Sequence, residues 1–339
     1  MVLSSAVNTT VIKDIFIWGG DLDKQIEDAL NNEQCTQINI FAGEEWEIRI
    51  NWHTLPYYSK LRKFASRHPV NILVGCHQTD LHKQNFVAPP EAWIHYWPTH
   101  WIHHTADKLK NIVYPKQLPP RKLFLSLNNK AHPHRCMMMD YLEKNNLFEH
   151  GDVSWHEKNV HYDFKWWKMK TMILDHNYPQ LVNSYNTLPQ GFSDTFISLI
   201  AEANMKAHFV TEKTWMPIFF KRPFIIFGPQ GIHREISYLG FKMFNEIIDY
   251  HFDTIENQDK RCQAIMDQLK LLANRDLNQL KKIIKPKLEH NYKLARKIAF
   301  DQSYIPAMVK DLCQRYQTDH TIQPTYYWVK SLTPYIPKT

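Results

Sequence analysis

The chain has 339 residues, with 41 Lys plus Arg against 34 Asp plus Glu, a formal net charge of +7 with histidine neutral. Hydrophobic residues make up 44% and charged residues 22%, a balance that supports a buried core and excludes wholesale disorder. Only 9 glycines occur, and neither G-x-G-x-x-G nor G-x-x-x-x-G-K-[ST] is present, which argues against a dinucleotide-dependent oxidoreductase and a P-loop NTPase.

In chain order, Val11 to Trp18 is a β-branched and aromatic run closed by Gly19-Gly20, and residues 21–32 place Leu22, Ile26 and Leu30 at helical spacing. Gln37 to Ala42 predicts a strand, Tyr57 to His68 a helix, and Val70 to Gly75 another strand. This alternation points to a parallel sheet covered by helices. From Pro98 to Pro120 the texture changes to histidines, a short helical stretch and three prolines, which predicts an interdomain connection. A second series follows: strand Lys122–Leu127, helix His134–Asn146, strand Asp152–Trp155, strand Phe196–Ala201, helix Glu212–Phe220, strand Pro223–Phe227 and helix Ile232–Leu239. Beyond Asn257 the pattern is helical to about Tyr316, with Ile265, Leu269 and Leu272 as an apolar stripe. The expected division is an N-terminal α/β domain (1–110), a linker (111–121), a second α/β domain (122–300) and a C-terminal helical segment (301–339) returning toward the first domain.

The five cysteines are scattered, with no C-x-x-C pair, and read as reduced thiols of a cytoplasmic protein. No apolar run reaches about 18 residues, so no membrane span is expected. His95, His100, His103 and His104 lie among tryptophans but have no Cys or carboxylate at ligand spacing, and a zinc site is not expected.

Two segments carry chemistry. Thr211 precedes a helix, so its hydroxyl is placed to cap exposed amides, with Glu212 and Lys213 in the first turn. A helix N-terminus after a sheet strand suits a phosphate, to which Lys213 adds positive charge, while Glu212 could accept from ribose hydroxyls. Equally, these residues could be no more than a well-made helix start. In Phe124 to Arg135 a strand runs into Asn128, Asn129 and Lys130; then Pro133 opens a helix that carries Arg135, a side chain able to fork two phosphate oxygens or to pair with a carboxylate.

Together these segments resemble the nucleotide-sugar half of the α-1,3-fucosyltransferase family. There a strand ends in Ser-Asn with an Arg six positions on, the spacing of Asn129 and Arg135. The family's later block of Glu-Asn-Ser, Tyr-Val-Thr-Glu-Lys and Gly-Pro is matched in register by Glu202, Phe209 to Lys213, and Gly228-Pro229, with Ala203 in place of the Asn and Asn204 one position later. The likeness covers about 122–231. Residues 224–253 are also similar to predicted glycosyltransferases of bacteria, phages and large viruses. The resemblance implies two Rossmann-like domains facing across a cleft (a GT-B-like α/β fold) and an inverting transfer from a nucleoside-diphosphate-sugar to a glycan or other hydroxyl acceptor. It implies donor contacts from Asn129, Arg135, Glu202, Asn204, Thr211, Glu212 and Lys213.

Negative charge builds on the departing diphosphate in such a transfer. Arg135, Lys213 and two helix N-termini can meet it, so no cofactor or divalent metal is expected. Asp21-Leu22-Asp23 matches a metal-binding D-x-D but stands where an Asp would cap a helix. The acceptor hydroxyl needs a base, for which Glu44, Glu45 and Asp21 are candidates at strand ends, with His77 and Asp80 behind them. Lysines and arginines between Lys281 and Lys297 leave open a DNA-modifying transferase or a nucleic-acid-binding protein.

Overall fold

The computed structural model describes residues 11–16, 21–42, 55–75, 90–110, 112, 116–158, 160–174, 188, 190–319 and 332. The chain forms two compact α/β units, one of residues 1–100 with 302–339, the other of residues 101–301.

The first unit is built on a four-stranded parallel sheet in the order β1 (Val11–Phe16), β2 (Cys35–Ala42), β3 (Val70–Val74), β4 (Trp93–Tyr96). Helix α1 (Leu22–Leu30) follows β1, and α2 (Tyr58–Ala65) precedes β3. Asp21 is the N-cap of α1, its carboxylate accepting from the Lys24 N–H at 3.2 Å. Asp21-Leu22-Asp23 is therefore a helix start, as the capping alternative for the D-x-D match expects. Glu44, Glu45, His77 and Asp80 lie outside the described residues.

Phe16 stacks on Phe41 with centroids 4.9 Å apart, and Leu73, Trp97, Ile305, Met308, Val309, Leu312, Cys313 and Leu332 complete that core. Arg315 is ion-paired with Asp14, whose carboxylate also accepts from Asn39 Nδ2 at 2.9 Å. A polar row thus crosses the sheet from Asp14 through buried Asn39 to Asn71 and His95, each side chain bonded to the next.

The second unit opens with α3 (His100–Leu109), whose residues from Trp101 onward belong to it. The stretch expected as part of a connection is thus a helix with packing of its own. The sheet, again parallel, runs β6 (Gly151–Trp155), β5 (Lys122–Asn128), β7 (Thr195–Ala201), β8 (Phe224–Phe227). Helix α4 (Pro133–Lys144) joins β5 to β6; a short helix, α5 (Gly191–Asp194), leads into β7; and α6 (Glu212–Phe219) joins β7 to β8. Beyond them come α7 (Ile232–Tyr238), α8 (Gln258–Ala273) and the 24-residue α9 (Leu277–Phe300), while α10 (Ala307–Thr318) belongs to the first unit.

The strand order decides where a ligand can sit. From β5 the chain leaves through α4 toward β6, and from β7 it leaves through α6 toward β8, in opposite directions along the sheet. The carboxyl ends of β5 and β7 therefore flank a crevice, the topological switch point at which open α/β sheets bind ligands. The described strands of the first unit run in simple succession and have no such reversal.

Edge strand β8 is closed by side chains. His233 Nε2 accepts from the Ile226 N–H at 3.0 Å, which fixes the proton on Nδ1, and Nδ1 donates to Asp253 Oδ1 at 2.8 Å. The turn into α7 needs Gly231, whose φ of +83° is left-handed and whose N–H donates to the Asp253 carbonyl at 2.8 Å. Four of the five cysteines are described, and all four are buried and free.

Candidate functional site

At the switch point the β7 side is organised by Glu202, which has no exposed surface. Its Oε1 accepts from the Thr211 N–H at 3.1 Å and from Thr214 Oγ1 at 2.7 Å; its Oε2 accepts from Thr211 Oγ1 at 2.8 Å and the Ala203 N–H at 3.1 Å. All four donors come from this chain, so the carboxylate has no capacity left for a ribose or a sugar. Glu202, expected as a donor contact, is placed here as a strut that fixes the turn into α6.

Asn204 is also held by this chain. It is buried, and its Oδ1 accepts from the Lys206 and Ala207 N–H groups at 2.7 and 3.3 Å, an Asx turn that shapes the loop. Thr211 caps α6 as the sequence leads one to expect, its hydroxyl oxygen lying 3.4 Å from the Lys213 N–H it accepts from. Those fixed positions leave Glu212 and Lys213 as the part-exposed pair on the first turn. Lys213 Nζ lies 3.2 Å from Glu212 Oε1 and 3.3 Å from Thr211 Oγ1. Burial works against the Glu212 charge, but Lys213, a backbone hydrogen bond and His104 outweigh it and hold the carboxyl below its ordinary range.

On the β5 side, Asn128 ends the strand with its Nδ2 donating to Ser126 Oγ at 3.1 Å, while its Oδ1 is a buried acceptor without a hydrogen-bond partner among the described residues. Asn129 follows, half-buried, and Lys130 is exposed. Pro133 occupies the first helical position, where its missing N–H costs nothing, and Arg135 is buried in the first turn with Nη1 donating to the Lys130 carbonyl at 3.3 Å.

Two histidines that sequence reasoning passed over join the two sides. His134 donates from Nε2 to the Glu202 carbonyl at 2.6 Å, pinning the start of α4 to the end of β7. His132 stacks on it at 5.8 Å with the rings 15° apart. Burial first, then the charges of Arg135, Lys213 and Lys130, push His132 down to about 4. His134 also stands at about 4, again through burial foremost, and feels both Arg135 and Lys213. Both cations, from different βα turns, are thus within electrostatic reach of the same two imidazoles. The only sequence signal for these histidines was their place on either side of Pro133.

Helix α3 lies beside this site. Trp101 meets Phe209 edge-on at 6.3 Å, in the segment that leads to Thr211, and His104 feels the Glu212 carboxylate. Among the described residues no group of three or more His, Cys, Asp or Glu could hold a metal ion.

Site and sheet together define an α/β protein with two cationic side chains, Arg135 and Lys213, in the turns beside the switch point of its second unit, a place suited to a phosphorylated ligand. No family model matches the chain, and no curated protein is significantly similar to it. Two solved structures are distantly similar. One, a DNA-modifying β-glucosyltransferase studied with and without uridine diphosphoglucose, is 11% identical with a TM-score of 0.43, over 79% of this chain and 70% of that one. The other, a T4 phage BGT mutant in complex with UDP-glucose, is 13% identical with a TM-score of 0.41, over 87% and 80%. Neither likeness is strong enough to assign an activity.

Proposed function

We propose that the second unit binds a nucleoside-diphosphate-sugar and that the protein is a glycosyltransferase passing the sugar to a hydroxyl acceptor. The observation that supports this reading is that the turns bearing Arg135 and Lys213 are tied together, His134 beside Arg135 donating to the Glu202 carbonyl at 2.6 Å and the Glu202 carboxylate holding the Thr211 cap of the helix that carries Lys213, with both cations lowering the His132 and His134 imidazoles. A single cation at a helix start is commonplace; two from diverging loops, with the N-termini of α4 and α6, form a cradle for two linked phosphates.

In the proposed reaction the bond from the anomeric carbon to the diphosphate breaks as the acceptor oxygen attacks from the opposite face, inverting the centre. Arg135 and Lys213 stabilise the charge growing on the departing diphosphate, and because they are positioned beforehand they reorganise little in doing so. They supply the positive potential for which other transferases use a divalent cation, so the transfer is proposed to be metal-independent. Glu212, drawn toward Lys213, is the proposed acceptor of ribose hydrogen bonds, with Asn129 lining the opposite turn. Glu44 or Glu45 is proposed as the base that takes the acceptor proton.

A thermal-shift panel of GDP, UDP, dTDP, ADP and CMP tests this. A nucleoside diphosphate at about 100 times its Kd should stabilise the protein by about 2.7 kcal/mol. Absence of a shift with every nucleotide refutes the reading.

A further inference from the structure

The outer face of α9 is unlike a solvated helix surface. Between Leu277 and Phe300 the sequence has seven Lys or Arg and a single acid, Glu289, which is taken by Lys221 at 2.9 Å. Lys287 pairs with Glu246 at 2.8 Å, and half-buried Lys281 donates to Gln117. Lys282, Lys285, Lys293 and Lys297 are exposed and have no carboxylate partner among the described residues. At 100° per residue these four fall within about 60° of one line, joined there by exposed Arg296, and the row runs about 22 Å along the helix at 1.5 Å per residue. Lys293 and Lys297 are an i,i+4 pair of like charges, which weakens a helix when no anion lies between them. An ordinary wet face would intersperse acids.

We propose that this row is a docking surface for the phosphate backbone of duplex DNA. The helix is continuous from Leu277 to Phe300 despite Pro286 inside it, so the lysines are held on one face, and the spacing brings several phosphates of one strand within reach of four lysines. Between Lys282 and Lys297 the exposed face has no Ser, Thr, Asn or Gln with which to address the 2′-hydroxyls that mark duplex RNA. Nor does it offer a run of aromatic platforms for unstacked bases: exposed Phe300 lies at one end, with the Arg296 guanidinium 5.6 Å from its ring centre. A membrane surface fits poorly as well: the apolar side of α9, with Leu280, Ile284, Leu288, Ala295 and Ile298, is buried in the protein, and Ile283 and Phe300, the large apolar side chains it leaves exposed, are 17 positions apart and form no continuous face to insert.

The row is tied to the candidate site. Helix α9 packs against α6, the helix that begins at Glu212, and His103 Nδ1 of α3 donates to the Ala299 carbonyl in the last turn of α9 at 3.0 Å. Resting on the transferase reading above, this makes DNA the carrier of the acceptor hydroxyl.

Fluorescence anisotropy with a labelled 30-base-pair DNA duplex provides the test. Four neutralised phosphates predict a log–log salt slope of about −3.6, so affinity should fall about 150-fold between 50 and 200 mM salt. Replacing Lys282, Lys285, Lys293 and Lys297 together by Gln should flatten the slope toward zero and weaken binding at 50 mM at least tenfold, and replacing all four by Arg should restore it. The proposal is overturned if the native protein does not bind the duplex at 50 mM, if the Gln variant keeps the native slope, or if duplex RNA, single-stranded DNA or vesicles with 30% phosphatidylserine bind as tightly through the same lysines. Calorimetry of nucleoside diphosphates on the Gln variant separates the two readings. DNA binding without nucleotide binding defeats the transferase and leaves the surface standing, whereas the converse defeats only the surface.

Discussion

Glu202→Gln separates a strut from a ligand contact. The carboxylate holds two donors on each oxygen: a backbone N–H and a hydroxyl on Oε1 (Thr211 and Thr214), and again on Oε2 (Ala203 and Thr211). In the amide variant the NH2 must face one of these pairs. The hydroxyl can rotate to accept, but the backbone N–H cannot, so one buried donor is orphaned in either orientation. Its loss costs about 1–3 kcal/mol, and the remaining bonds lose their charge-assisted share, for a total of about 3–5 kcal/mol. At about 2–4 °C per kcal/mol for a unit of this size, the unfolding midpoint should drop by roughly 6–20 °C. Thermal unfolding by circular dichroism measures it, with nucleotide calorimetry alongside below the transition. A variant with native stability but weakened nucleotide binding would refute the reasoning and return Glu202 to the role of a donor contact.

Other consequences concern stability. His103, His104 and His134 are buried and all stand at about 4, burial being the main cause in each case, against 6.5 for the ordinary group. The unfolded chain therefore binds more protons between those values, so the stability these histidines support is complete above 6.5 and is lost as the pH falls toward 4. By about pH 5 the loss should be on the order of 1–2 kcal/mol per histidine, seen as a falling urea midpoint between pH 7 and 5; a flat midpoint contradicts the burial argument. Arg222 is fully buried and donates to the carbonyls of Gly191, Phe192, Thr195 and Ile197 and to the hydroxyls of Thr195 and Ser198, while desolvation pushes it down to about 9. Arg222→Met should cost about 3–5 kcal/mol in urea unfolding, because it orphans buried carbonyls; a cost below about 1 kcal/mol would show that the site relaxes around the change.

Much of this architecture is legible in the sequence, for identifiable reasons. Thr211 as a cap and Pro133 at a first helical position are local rules, and both hold. The interior strands β5 and β7 and the edge strand β8 are largely apolar runs, so their existence is plain from composition. Strand β4 was not expected: as an edge strand it reads Trp-Ile-His-Tyr with no fully buried residue, and the alternation that would announce it is missing. Local rules also could not tell that Glu202 and Asn204 would turn inward, because their environment depends on residues far along the chain. Glu202 is bonded to Thr211 and Thr214, and its carbonyl to His134, 68 positions away. Helix α3 was expected as a short helical stretch within a connection; its packing depends on distant residues, Trp101 against Phe209 and His103 against Ala299.

Calorimetry bears most directly on the claim that two cations hold one diphosphate. With the nucleoside diphosphate that gives the largest thermal shift, the affinities of the native protein, Arg135→Gln, Lys213→Gln and the double variant form a double-mutant cycle. Each single change should weaken binding at least tenfold, about 1.4 kcal/mol. The double change should cost measurably less than the sum, because both side chains serve the same anion. Native affinity in both single variants, each with an intact circular dichroism spectrum, would contradict the account.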